Sequence, residues 1–198
     1  IAATANYLVT TVDPNGVAVG GTFTLTTAGG LMFRKARRIT MTATDDDVAG
    51  GLTLTVRVTG QRWGMPVSEI MIVTCTDNVA TLVTSVNCYD EVPELKLLAK
   101  TADAGDDVTF GISKLSFGLD FPIDAVADVQ SIINVVTATE SAAVAVSSTS
   151  VIVVATGGSV AGGSYITQGT DLATTHHWTI RYLTSRKFDG SGVAGGWR

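Results

Sequence analysis

Charge and aromatic rings are scarce in this 198-residue chain: charged residues make up 16% of it and aromatic ones 7%. Histidine and cysteine occur only twice each. Cys75 and Cys88 form neither a CxxC motif nor a zinc framework. They sit near the ends of successive strand candidates, so a disulfide is geometrically possible. Two buried thiols acting as small hydrophobes is the favoured reading. Basic charge is also short, with 13 Lys and Arg against 18 Asp and Glu, a formal charge of −5 and an isoelectric point near 4.8. One basic cluster, Arg34, Lys35, Arg37 and Arg38, stands alone, so nucleic acid is not expected as a ligand. Nor is there an apolar run approaching the ~20 residues of a membrane-spanning helix, although mean hydropathy is +0.34. A soluble chain with much surface for neighbours to bury is expected.

What fills the sequence is Val, Ala, Leu, Ile, Thr and Ser, with 21 glycines. β-Branched residues are stiff at the first side-chain torsion and suit a pleated surface. Period-two alternation recurs. In "TFTLTT" Phe23 and Leu25 share a face. In "RRITMTAT" Ile39, Met41 and Ala43 point inward. In "LTLTVRV" Leu52, Leu54, Val56 and Val58 oppose Thr53, Thr55 and Arg57. "SEIMIVTC" is apolar on both faces and is expected to be a central or doubly covered strand. "ATLVTSVNCY", "DDVTFGIS", "SVIVVAT" and "HHWTIRYLT" complete the strands. Turn signals separate them, among them "DPNG" at 13–16, "DDDVAGG" at 45–51 and "DAGDD" at 103–107. The pattern predicts an all-β chain, an antiparallel β-sandwich or barrel-like domain with long loops and extended terminal arms. A single domain is expected over 1–188, with a subdivision near 120 left open, followed by a Gly-rich arm over 189–198. Two stretches are helix candidates: 90–100, and 123–135, which reads equally well as strand and turn. Ile1 lacks the charged start and apolar core of a signal peptide. Ile is also too large for ordinary Met trimming, so residues upstream of it are expected to have been cleaved or simply not included.

Candidate chemistry is thin. Asp45, Asp46 and Asp47 lack the alternating ligands and closing Glu of a calcium loop, and neighbouring residues point in different directions. They read as a turn, as does "DAGDD". His176 and His177 face opposite sides of a strand, and neither GxSxG nor HExxH occurs. The glycine-rich stretches lack a phosphate-cradling pattern. No catalytic residue, metal ligand or cofactor is therefore assigned. "GQRWGMP" places Arg62, Trp63 and Met65 on a connection between strands, residue types enriched at protein interfaces. A Trp folded back on the sheet end is the favoured alternative. In the C-terminal arm, Phe188, Trp197 and Arg198 are the handles that could hold a glycine-rich segment against a neighbouring subunit.

The order of these pieces resembles small β-rich virion proteins of tailed bacteriophages. The matching stretches are Arg38–Thr44, Gly51–Gly60, Ser68–Glu69, Val83–Val86, Thr109–Ile112 and Phe117–Asp124, with 176–183 similar to the group's final strand. About two-thirds of the chain is covered. The chain departs from the pattern in reading Phe-Gly-Leu-Asp-Phe-Pro where Leu-Gly-Leu-Pro is expected, and in its apolar tip at Trp63. The resemblance implies a non-enzymatic capsid decoration, or cement, protein. Such a protein is made in the host cytoplasm, sits on the outer shell of the virion and binds the major capsid protein, commonly as a homo-oligomer such as a trimer. Alternatives are a tail, neck or head-fibre component, a small hydrolase using His176 or His177, and a secreted binding module.

Overall fold

The computed structural model describes residues 8–26, 31–46, 51–76, 78–113, 116–119, 123, 125–135, 141–146, 148, 150–153, 165–167 and 177–182. Its strands, numbered in chain order, are β1 (Val9–Val12), β2 (Leu31–Thr44), β3 (Leu52–Arg62), β4 (Met65–Cys75), β5 (Thr81–Thr101) and β6 (Asp107–Ile112) in the first part. The second part holds β7 (Ser116–Gly118), β8 (Val129–Val135), β9 (Ser141–Val144), β10 (Val151–Ile152), β11 (Tyr165–Thr167) and β12 (His177–Tyr182). Two 3-10 turns, Pro14–Gly16 and Val126–Asp128, are the only helical elements among the described residues. The fold is all-β, antiparallel and sandwich-like.

β3 is the sequence pattern realised. Leu52, Leu54, Val56 and Val58 are wholly buried, while Thr53, Thr55, Arg57 and Thr59 face outward. β2 likewise buries Ile39, Met41 and Ala43. Three expectations are corrected. Residues 90–100 are not helical but form the second half of β5; Leu95 and Leu97 alternate inward against outward Glu94 and Lys96, and Pro93 cannot sit in a helix interior. Over 123–135 the chain makes the short turn Val126–Asp128 and then β8. β4 is not covered on both faces: it is the last strand of its sheet, burying Val67, Met71, Val73 and Cys75 but leaving Ile70 55% and Ile72 58% exposed.

The six-stranded sheet runs β1–β6–β2–β5–β3–β4. β5 is long enough to serve two partners. Its first half pairs with β2 as far as Val92, and its second half, from Glu91, pairs with β3. Pro93, which has no N–H to give, lies just past the point where β5 leaves β2. The edge that β2 vacates is taken by residues 20–23. Gly20 N–H donates to Leu97 O, Leu97 N–H to Gly21 O and Phe23 N–H to Leu95 O, all within 2.8–2.9 Å. Phe23 thereby enters the core, its ring centroid 4.9 Å from that of Phe110. The turn before this strap is capped by Asp13, whose carboxylate accepts from Asn15 N–H at 2.7 Å, and is gripped by a lysine. Lys100 Nζ donates to the carbonyls of Pro14, Asn15 and Val17 at 2.9, 2.6 and 2.9 Å.

The sheet buries one large apolar cluster, including Leu8, Ile39, Met41, Leu54, Val56, Met71, Leu95, Leu97 and Phe110. A second, smaller cluster gathers Leu119, Ile123, Val129, Ile132 and Val151. It is served by two three-stranded sheets, β10–β11–β7 and β12–β8–β9.

Candidate functional site

Two polar constructions and one acidic cluster stand out against this apolar frame. The first is the tip of the β3–β4 hairpin. Trp63 and Gly64 both take positive φ, 52° and 73°, the two-residue turn whose twist matches a hairpin. A Trp in that conformation is strained by roughly 1 kcal/mol, and its surroundings offset the strain. Asp90 on β5 accepts from Arg62 Nη1 at 2.5 Å with one oxygen and from the Trp63 backbone N–H at 2.6 Å with the other. Arg62 Nη2 and Trp63 Nε1 both donate to Leu119 O, the latter at 3.2 Å. The guanidinium carbon lies 4.2 Å from the Trp63 ring centroid. Arg62 is buried and Trp63 half-buried, folded back over its own arginine. The pair therefore ties the hairpin tip to the segment that opens the second apolar cluster.

The second construction is a bulge in β5. Arg38 pairs with Cys88 and Thr40 with Thr84, so Thr84–Cys88 contains two more residues than the β2 segment it faces. A bulge of this size leaves ladder groups without partners, and side chains take their place. Ser85 Oγ accepts from Ile39 N–H at 2.7 Å and donates to Asn87 O at 2.7 Å. Arg38 donates through Nε to Ser85 O and through Nη2 to Thr84 O. From β4, Glu69 accepts from Val86 N–H at 2.9 Å, Asn87 N–H at 2.8 Å and Asn87 Nδ2 at 2.6 Å.

The acidic cluster is one the sequence did not reveal. Asp45, Asp46 and Asp106 bring carboxylate oxygens within 4.8 Å of one another, with Asp45 and Asp106 buried. Asp45–Asp47 alone cannot converge, but β2 ends beside the start of β6, with Thr44 opposite Asp107. That register delivers Asp106 from the second acidic stretch. All-oxygen donors of this kind suit a hard cation. Yet both Asp106 oxygens are already engaged: one accepts from Asp46 N–H across the strand ends at 3.3 Å, and the other closes the turn at 103–106, accepting from Asp103 N–H at 3.0 Å. The turn expected at 103–107 accounts for that second bond, while residues 47–50 of the 45–51 stretch lie outside the described residues.

The basic cluster at 34–38 is not one solvated face. Arg37 Nη1 donates to Ser116 O at 3.2 Å, and burial lowers the pKa of its guanidinium; Arg38 serves the bulge. Arg34 and Lys35 are placed as β2 backbone positions only. Met65 is half-buried opposite Arg62. Cys75 and Cys88 are free and buried, and burial pushes the Cys88 thiol up to about 12. His177 is placed as the backbone partner of Val135. His176, Phe188, Trp197 and Arg198 lie outside the described residues.

The outer surface carries large exposed hydrophobics: Ile70 and Ile72 on β4, Leu82 and Val86 on β5, and Val79 between them. Glu69 brings β4 alongside the first half of β5, so these side chains share one flank of the sheet.

No family model matches the chain, and comparisons with curated proteins and with solved structures return no match.

Proposed function

We propose that this chain is a non-enzymatic structural protein of a bacteriophage virion, a decoration protein that binds the outer surface of the capsid shell. The reading begins from the resemblance. The observation that carries it is the row of bare apolar side chains, Ile70, Ile72, Leu82 and Val86, on a flank of strands. Contiguous exposed apolar surface marks a place where another protein docks, and a sheet flank offers a flat and extended one. The polar groups of the hairpin tip and of the β5 bulge are spent on the chain's own backbone, which suits a rigid scaffold better than a reaction centre.

Electron cryomicroscopy of the particle encoded alongside this chain tests the reading. Density for the six-stranded sheet on the outer shell, with the β4–β5 flank against the major capsid protein, is the expected result. Density confined to the tail, neck or a head fibre would move the protein there. Its absence from the particle would overturn the proposal.

A further inference from the structure

The outer face of β3, β4 and the second half of β5 pairs its residues in rows. One row reads Ile70, Arg57, Lys96, with Ile70 opposite Arg57 and Arg57 opposite Lys96. The next reads Ile72, Thr55, Ala99. Arg57 is exposed and Lys96 half-exposed, and neither meets a carboxylate within ion-pair distance among the described residues. The nearest acid on that face, Glu94, lies one row away and accepts from the Thr59 hydroxyl at 3.3 Å. Two cations beside two bare isoleucines thus stand on a chain whose net charge is −5.

The same chain presents the opposite surface at one end of the sheet. β2 and β4 finish there and β6 begins, which places exposed Asp46, Asp103 and Asp107 together. The β4–β5 connection reaches the same end, because Thr81 pairs with Ala43 and the Cys75 thiol lies 3.2 Å from Ala43 O. It brings Val79 and Leu82, 60% and 62% exposed. One surface is cationic with an apolar flank, and the other is anionic with an apolar flank. The two adjoin along the β4–β5 flank and are complementary rather than alike.

We propose that the outer face of β3–β4–β5, centred on the row Ile70–Arg57–Lys96, docks the acidic end of a second copy of this chain. Opposite charges orient the encounter and suppress like-to-like contact, and the bare Ile, Val and Leu side chains supply the apolar burial. Because the two patches adjoin, a two-fold pair makes both contacts at once, the cationic row of each copy on the acidic end of the other. It shares Ile70 and Ile72 with the flank of the virion reading, but it is a property of the isolated chain and is tested on it.

Sedimentation velocity of the full chain over a concentration series, in low salt and in 1 M NaCl, is the test. Self-association is expected in low salt, weakened about tenfold or more in 1 M NaCl, where the Debye length contracts to ~3 Å. The pair Arg57→Glu/Lys96→Glu abolishes it, and so does the pair Asp103→Lys/Asp107→Lys. Mixing the two variants restores it, because each then meets a complementary surface on the other. Circular dichroism of each variant confirms that its strands are intact, and the mixing arm separates a lost contact from a damaged fold. A chain that stays monomeric in low salt at every concentration overturns the proposal. So does association that survives both charge reversals, or a mixture that remains monomeric.

Discussion

Arg62 and Asp90 form an ion pair of 2.5 Å in which the arginine is almost wholly buried and the aspartate one-third exposed. The pair joins the hairpin tip to β5, and the second donor nitrogen of Arg62 reaches Leu119 at the border of the second apolar cluster. Removing the acid strands a buried cation, which costs more than the pair itself contributes. Asp90→Ala is therefore expected to destabilise the chain by about 3 kcal/mol, at the low end for buried pairs because Asp90 sees solvent. Urea denaturation measures it. Replacing both partners, as Arg62→Met with Asp90→Ala, should cost less than Asp90→Ala alone; an equal or larger loss would show that the arginine is not held by this charge.

Gly60 sits where the β3–β5 register shifts, between Thr59 and Gln61. A Cβ there would overlap the carbonyl of Glu91 and come within 2.6 Å of the Tyr89 ring. Backbone and a buried ring cannot yield cheaply, so Gly60→Ala is expected to lose about 1–3 kcal/mol, the range of overpacking. Gly16→Ala is the control, because nothing lies within 4 Å of its position. Thermal denaturation of the two variants should separate them clearly.

How far the sequence reached depended on whether a feature was local. β3 was legible because a strand with one wet face writes its alternation into adjacent residues. β4 was not, because an apolar outer face reads the same whether a neighbour covers it or leaves it bare. Residues 90–100 carry Glu, Leu, Lys and Ala, good helix formers, yet pairing with β3 on one side and the 20–23 strap on the other made them strand. The carboxylate cluster needed the Thr44–Asp107 register, and the bulge at 85–87 needed Arg38 and Glu69 from two other strands. Trp63 was visible as an oddity, but its reason lies 27 residues away at Asp90.

Lys100 fastens the turn at 14–17 through three carbonyls. Hydrogen bonds to a charged donor contribute about 1.5–3 kcal/mol each at most, and these share one flexible, partly exposed side chain. Lys100→Met is expected to cost about 1–2 kcal/mol overall and to raise amide hydrogen exchange at Gly20, Phe23 and Leu97. Unchanged exchange at those amides would mean that the strap is held by Phe23 alone.

Cys88 gives a pH dependence of definite sign. Its thiol is raised from 9.0 to about 12 in the folded chain, first by burial, which outweighs the lowering by Arg62, Arg38 and Arg37. Between those values the unfolded thiol has lost its proton while the folded one keeps it. The folded state then binds more protons, so stability falls as pH rises from about 9 towards 12. Burial also raises the Tyr89 hydroxyl above its ordinary value of 10.0, which steepens the fall in the upper part of the window. Midpoints of urea unfolding taken at pH 8, 9.5 and 10.5 should decline in that order, with a shallower decline in Cys88→Ala. A thiol reagent at pH 8 should leave Cys88 unmodified until denaturant is added.

Glu69 faces the same side of β4 as Val67 and Met71, yet it is charged and only half-buried. Its two oxygens receive three N–H groups: the Val86 and Asn87 backbone amides, which the bulge has withdrawn from the ladder, and the Asn87 side-chain amide. A carboxylate is acceptor-only, so it meets all three without turning a donor towards another donor. Glu69→Gln keeps the length and the shape but exchanges one acceptor oxygen for an NH2 group. At least one of the three N–H groups is then opposed by hydrogen. Oε1 serves Val86 alone and Oε2 serves both Asn87 groups, so Gln turns its NH2 against Val86 N–H, on a residue 58% exposed, where water takes up the donor. The expected loss is about 1 kcal/mol, the net worth of one hydrogen bond, with faster exchange of the Val86 amide. Glu69→Asp should lose a similar amount for a different reason, since the shorter side chain cannot span from β4 to β5. If Glu69→Gln proves as stable as the parent and both amides stay protected, the bulge is held by Arg38 and Ser85 without help from β4.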